Sequence, residues 1–146
     1  MPKKNAKGTK EIKVWEFTDH HYPIRIYFAP NKKNWHDLLK FLDLVDEPYP
    51  DIGGGMVTPF EHPDKPLTMC ILTISKAAKK YSATMVMGMI VHECVHLKQF
   101  AEVAMYGNNA GKGRGRLDVE SEAYFMQQVT QWANTSFADS GRKFAP

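Results

Sequence analysis

The stretch from Met85 to Phe100, Met-Val-Met-Gly-Met-Ile-Val-His-Glu-Cys-Val-His-Leu-Lys-Gln-Phe, constrains this chain more than any other. It predicts a helix, and no charged residue lies between Met85 and Val91. A helix so apolar is expected to be covered on most sides. Directly after that run stand His92, Glu93 and His96, in H-E-x-x-H spacing. Two histidines four apart lie one helical turn apart on one face, so their imidazoles can converge on a single metal ion. Glu93 leaves the helix about 100° round from His92, beside that ion. Histidines that merely decorate a surface fit this context poorly, because an imidazole following a buried run needs a partner. Composition alone would produce the spacing in about 1% of such chains, so the motif carries weight.

The H-E-x-x-H pattern resembles the zincin metallopeptidases. The metzincin branch requires Gly at 99 and His at 102, where this chain has Gln99 and Glu102, and is excluded. The gluzincin branch takes a third ligand from a glutamate on a following helix, often followed by Ala, and Ser121-Glu122-Ala123-Tyr124 matches that local pattern. The resemblance spans residues 82–133. It implies a Zn2+ ion held by His92, His96 and Glu122, with Glu93 as general base.

Helical periodicity separates the carboxylates that compete for the third position. A second long helix is expected over Leu117–Phe137. Stepping from Glu122 along its face meets Val119, Phe125, Met126, Val129 and Ala133, a core stripe; stepping from Glu120 meets Ala123, Tyr124, Gln127 and Gln131, a polar one. A carboxylate aimed into a core needs a charge partner or becomes neutral, and zinc would meet that need. Glu122 is therefore favoured and Glu120 is the alternative. Asp118, one turn before Glu122, can hydrogen-bond a ligand histidine from behind, or serve as a ligand itself.

The remaining chain reads as support for this pair of helices. At 146 residues it forms one domain able to bury a core without disulfides, and 43% apolar with 24% charged residues is a soluble globular composition. Cys70 and Cys94 lie in apolar segments and read as buried free thiols of a reducing compartment. No apolar run is long enough to span a membrane and none follows the basic N-terminus as a leader would, so a cytoplasmic protein without membrane contact is expected. Residues 1–10 read as a disordered basic tail, and residues 11–146 as a single zincin-like metallopeptidase domain.

Glu11–Phe17 and Pro23–Phe28 alternate as strands, the second with Ile24, Ile26 and Phe28 inward and Arg25 and Tyr27 outward. His20 and His21 mark the turn between them and read as exposed turn residues. Asn34 is the expected cap of a helix over Trp35–Val45, whose Leu38, Leu39, Phe41, Leu42 and Val45 form one stripe. Met56–Phe60 reads as a short strand, and Pro59 places it at a sheet edge. In the zincin resemblance an edge strand near the metal holds the substrate by strand addition, and this segment is the candidate. Leu67–Ile74 is a nearly continuous apolar, β-branched run and reads as the central strand. Ser82 caps the H-E-x-x-H helix, Gly88 is placed for a close backbone contact, and Gly107 ends the helix. The Gly- and Arg-rich loop 108–116 lacks P-loop spacing and reads as a mobile loop; the sharper alternative is a gate over the cleft or a contact for an acidic substrate through Arg114 or Arg116.

The expected fold class is α+β: a three- to four-stranded sheet packed on an amphipathic helix and the H-E-x-x-H helix, followed by a Glu-bearing helix. The expected activity is zinc-dependent peptide-bond hydrolysis, since two His and one Glu leave a tetrahedral position for water. Glu93 would take a proton from that water and pass it to the leaving amine. Tyr106, Tyr124, His62 and Arg114 are candidates to stabilise the oxyanion. The alternative is a catalytically silent, zinc-stabilised protein-binding module of the same fold. A chain of this length has little room for a far cleft wall, which points to a narrow peptide or protein substrate or to a partner protein that completes the cleft. Nucleic-acid binding is disfavoured: much of the net charge of +3 sits in residues 1–13, and no aromatic stacking platform accompanies it.

Overall fold

The structure, a computed structural model, describes residues 2–4, 11–19, 22–62, 64–107, 110 and 119–142. The protein is α+β, built on a four-stranded mixed sheet. Strand β1 (Pro2–Lys4) pairs antiparallel with β2 (Glu11–Lys13) in a separate two-stranded ribbon. The main sheet contains β3 (Trp15–Thr18), β4 (Ile24–Ala29), β5 (Gly55–Glu61) and β6 (Thr68–Ile74), in the order β3-β4-β6-β5. Only β4 and β6 are parallel, with Ile26 opposite Cys70. Helix α1 (Lys32–Phe41) follows β4, and a 3-10 turn (Lys76–Lys80) leads into α2 (Ala83–Tyr106). Helix α3 (Val119–Asp139) packs on α2.

Strand alternation divides the interior into two cores. Ile24, Ile26 and Phe28 of β4 and Cys70, Leu72 and Ile74 of β6 meet Val86, Ile90 and Leu97 of α2 and Phe125 and Val129 of α3. On the opposite face Tyr27, Met69 and Ile71 meet Trp35, Leu38 and Leu39 of α1. Both faces of β6 are thus covered, the reason its sequence is nearly continuously apolar. Tyr27 is consequently buried at 1% exposure rather than outward, while Arg25 is exposed. Alternation assigns residues to two faces; the second face becomes interior only because α1 crosses it.

Several expected boundaries shift for local reasons. Residues 2–4 of the expected disordered tail form β1, because backbone pairing with β2 supplies what the polar side chains do not. The other residues of that tail, His20, His21, Asp118, Arg114 and Arg116 lie outside the described residues. The first expected strand breaks at Val14, where the chain passes from the ribbon to the main sheet. Helix α1 is capped by Asn31, not Asn34: the Asn31 side chain accepts a 2.9 Å hydrogen bond from the Asn34 amide. It ends where Asp43 takes a left-handed φ of 56° and the Leu44 amide bonds back to the Leu39 carbonyl. Val45 therefore lies outside the helix and is 78% exposed.

Ser82 and Gly107 cap α2 as expected. The helix is not covered on most sides, however: Met85, Met87, Val91 and Val95 are exposed. The sheet takes one side of it and α3 a flank, and an uncharged sequence does not itself bring a third neighbour. Gly88 faces open space, with nothing within 4 Å of a β-carbon built on it, so it permits no close contact. Among the described residues no helix is long and apolar enough to cross a membrane.

Candidate metal centre

The two histidines converge. His92 Nε2 and His96 Nε2 stand 3.2 Å apart, with ring centroids separated by 4.9 Å. Two imidazole nitrogens bound tetrahedrally to one zinc would stand about 3.3–3.4 Å apart, given Zn–N bonds of 2.0–2.1 Å. The pair therefore fits two corners of a tetrahedral site with little rearrangement.

Gln99 fixes how His96 presents its lone pair. His96 Nδ1 donates to Gln99 Oε1 at 2.9 Å. With its proton on Nδ1, the neutral ring carries its lone pair on Nε2, where it accepts a hydrogen bond from His92 Nε2 and where it would bind a metal. The position of Gln99 three after His96, on the same helical face, is the sequence signal for this bond.

Glu93 occupies a different environment from the histidines beside it. It is 6% exposed, whereas His92 is exposed and His96 half-buried. Burial pushes its carboxyl upward, opposed by His92, His96 and a backbone hydrogen bond from Val57 of β5. Strand β5 lies at the sheet edge, bonded only to β6 within the sheet. Its approach to α2 requires glycine. A β-carbon on Gly54 would stand 2.8 Å from both Met89 Sδ and Tyr81 Cε2, and one on Gly55 would stand 3.7 Å from Glu93 Cγ. The Gly53-Gly54-Gly55 run is thus the device that seats the edge strand against the Glu93 side of α2. Its start is pinned by hydrogen bonds from Ser75 Oγ to the Gly53 carbonyl and from the Ser75 amide to the Gly54 carbonyl.

Glu122 turns toward α2 but is half-buried rather than aimed into the core, because its stripe opens to solvent at the N-terminal end of α3, where Val119 is 83% exposed; Lys98 is among its partners. Lys98 Nζ lies 3.0 Å from Glu102 Oε1 and 3.4 Å from Glu122 Oε1. Burial pulls the Lys98 ammonium down, and the two carboxylates outweigh it and raise it. Glu120 is exposed. Among the described residues no three His, Cys, Asp or Glu side chains form a group able to hold a metal ion. The donors present therefore fit zinc at two positions, and the third remains to be supplied.

Of the expected oxyanion donors, Arg114 lies outside the described residues, and His62, Tyr106 and Tyr124 are each engaged elsewhere. His62 Nδ1 accepts from the Asp64 and Lys65 amides at 3.0 and 3.1 Å, closing the turn after β5. Tyr106 lies about 15 Å along the helix from His96, from a rise of 1.5 Å per residue. It lines a separate cavity of about 500 Å³ with Tyr22, Tyr124 and Phe125. Cys94 points away from the histidine pair into the core, and burial pushes its thiol up to about 11. Comparison with family models, with curated proteins and with solved structures found no match to this chain.

Proposed function

We propose that the protein is a zinc-dependent metallopeptidase of the gluzincin type, with His92, His96 and Glu122 as ligands and Glu93 as general base. The observation that carries this reading is the 3.2 Å approach of the two Nε2 atoms, beside a buried Glu93. Zinc bound there supplies Lewis-acid polarisation of a water molecule and of the scissile carbonyl. Glu93 takes the proton released by the attacking water and hands it to the leaving amine; its raised carboxyl is suited to holding a proton between the two steps. Among the described residues no strand pairs with the edge of β5 away from β6, and strand addition there would lay an extended peptide alongside Glu93, whose carboxylate already holds the Val57 backbone. The substrate is a peptide or protein segment. Two buried free thiols favour the cytoplasm as its compartment.

A second reading is supported by the Lys98–Glu122 contact, which leaves the three-ligand set unassembled. Under it the fold is a catalytically silent zinc-stabilised binding module. Zinc per chain in wild type, Glu120→Ala and Glu122→Ala separates the ligands: one zinc in the first two and a sharp loss in the third is expected. No zinc in wild type, even after incubation with it, would overturn both readings. A peptide hydroxamate that binds the zinc-loaded chain selects the enzyme over the closed module.

A further inference from the structure

The turn between β3 and β4, the end of α2 and the first turns of α3 converge on a cavity of about 500 Å³. That is the size of a small-molecule site, for which roughly 300–1,000 Å³ is usual. Tyr22 comes from the turn, and Tyr106 is the last residue of α2. Ser121, Tyr124, Phe125 and Gln128 come from one face of α3, at helical spacings of three and four. Three tyrosines and a phenylalanine thus share the wall. Tyr22 and Phe125 stand edge to face, with centroids 5.6 Å apart and planes at 89°, so they form adjoining walls at a right angle. Phe125 is buried at 1% exposure and Tyr124 is 59% exposed, so the aromatic lining runs from the interior to the surface.

We infer that this cavity binds an alkylammonium cation, either a free quaternary amine or the ammonium end of a lysine side chain. Among the described lining residues the one charged group is Asp19. An ionised carboxylate has about four lone-pair positions, so the contacts it already makes leave room for a further donor. The helix ends at the cavity oppose each other, since the C-terminus of α2 favours a cation and the N-terminus of α3 an anion. Glu120, in the first turn of α3, offsets the second, which leaves the Asp19 carboxylate to set the sign. Ring faces carry negative charge density and attract a cation within about 6 Å of the centroid. An anion would meet a carboxylate and no described Lys or Arg. A neutral apolar ligand would desolvate that carboxylate without compensation. The cavity is independent of the histidine pair, because Tyr106 lies about 15 Å along α2 from His96.

The test titrates the full chain with choline and with its uncharged isostere, in which a carbon replaces the nitrogen. A short Gly/Ser peptide carrying one trimethyllysine is the third probe. Choline should bind roughly ten-fold more tightly than the isostere, because the ring faces and the carboxylate act on the charge. Tyr124→Leu should weaken choline by a similar factor, whereas Tyr124→Phe keeps a ring and should bind nearly as wild type does. Asp19→Asn should weaken it as well. Tighter binding of the peptide than of choline identifies a protein side chain as the source of the cation; the reverse order identifies a free amine. No binding of either cation, or equal binding of choline and the isostere, overturns the inference. Undiminished choline binding in both Tyr124→Leu and Asp19→Asn also overturns it, by placing the cation elsewhere. Should a variant fail to fold, the comparison of choline with its isostere on wild type decides. None of these outcomes bears on zinc, so the peptidase reading stands or falls separately.

Discussion

A β-carbon on Gly55 would stand 2.9 Å from the carbonyl oxygen of Thr73, a backbone atom of the neighbouring strand that has no room to give way. The equivalent contact at Gly54 is with the Met89 thioether and the Tyr81 ring, which can turn aside in part. Gly55→Ala should therefore destabilise the fold more than Gly54→Ala. About 1–3 kcal/mol is expected at position 55, the range for overpacking. Urea denaturation of the two variants checks the order. A Gly55→Ala protein as stable as wild type would show that β5 is not held as tightly to β6 as the register places it.

Gly88 is the opposite case. It lies within α2, and nothing approaches the space its side chain would fill. Gly88→Ala should stabilise by about 1 kcal/mol, the difference in helix propensity. For a chain of this size that raises Tm by about 2–4 °C, and thermal unfolding measures it.

These glycines show where sequence reasoning reaches and where it stops. The ends of α2 were legible because Ser82 and Gly107 act locally, through a hydroxyl that accepts from the Met85 amide and a φ of 57°. The central position of β6 was legible from its nearly continuous apolar run. The limits of α1 were not: two asparagines three apart both offer a cap, and Asp43 ends the helix in a conformation that glycine normally signals. Periodicity placed Glu122 on the core stripe of α3, yet at its N-terminal end that stripe is open to solvent and Lys98 of α2 is among the partners of Glu122. Lys98 and Glu102, four apart on α2, were readable as a pair; their junction with α3 is tertiary.

The buried ionisable core predicts loss of stability at alkaline pH. Burial pushes the Cys70 thiol from 9.0 up to about 12, and burial, opposed by a hydrogen bond with Thr130 and reinforced by the charge of Glu93, pushes that of Cys94 from 9.0 up to about 11. A raised folded value means that the unfolded chain releases its proton first as pH rises. The contribution is therefore intact below about pH 9 and is lost between there and the folded values. Urea midpoints should fall from pH 9 toward pH 11, and less steeply in Cys70→Ala than in wild type. Both thiols should resist a thiol reagent in the folded protein at pH 8 and react once it is unfolded.

Glu93 is expected to matter for turnover and not for metal retention. Glu93→Gln preserves volume and the contact with Val57, so it should bind zinc as wild type does. Peptide hydrolysis should fall by about 10²–10⁴-fold, the usual contribution of a general base. Parallel zinc analysis and peptide-cleavage assays decide the point. Loss of zinc together with activity would make Glu93 a ligand rather than a base.

Gln99 offers the sharpest test of how the histidines are prepared. It accepts the Nδ1 proton of His96, and that bond both orients the ring and leaves Nε2 as the donor. Gln99→Leu removes the acceptor while keeping a side chain of similar size on an exposed face, so the fold should be unaffected. Zinc affinity should fall by about 10–100-fold, the range for losing a hydrogen-bond partner behind a metal ligand. Gln99→Glu keeps an acceptor and should retain zinc binding. If Gln99→Leu and wild type bind zinc equally, His96 is oriented by its packing alone. Equal loss in Gln99→Leu and Gln99→Glu would instead point to the amide itself and remove the lone-pair explanation.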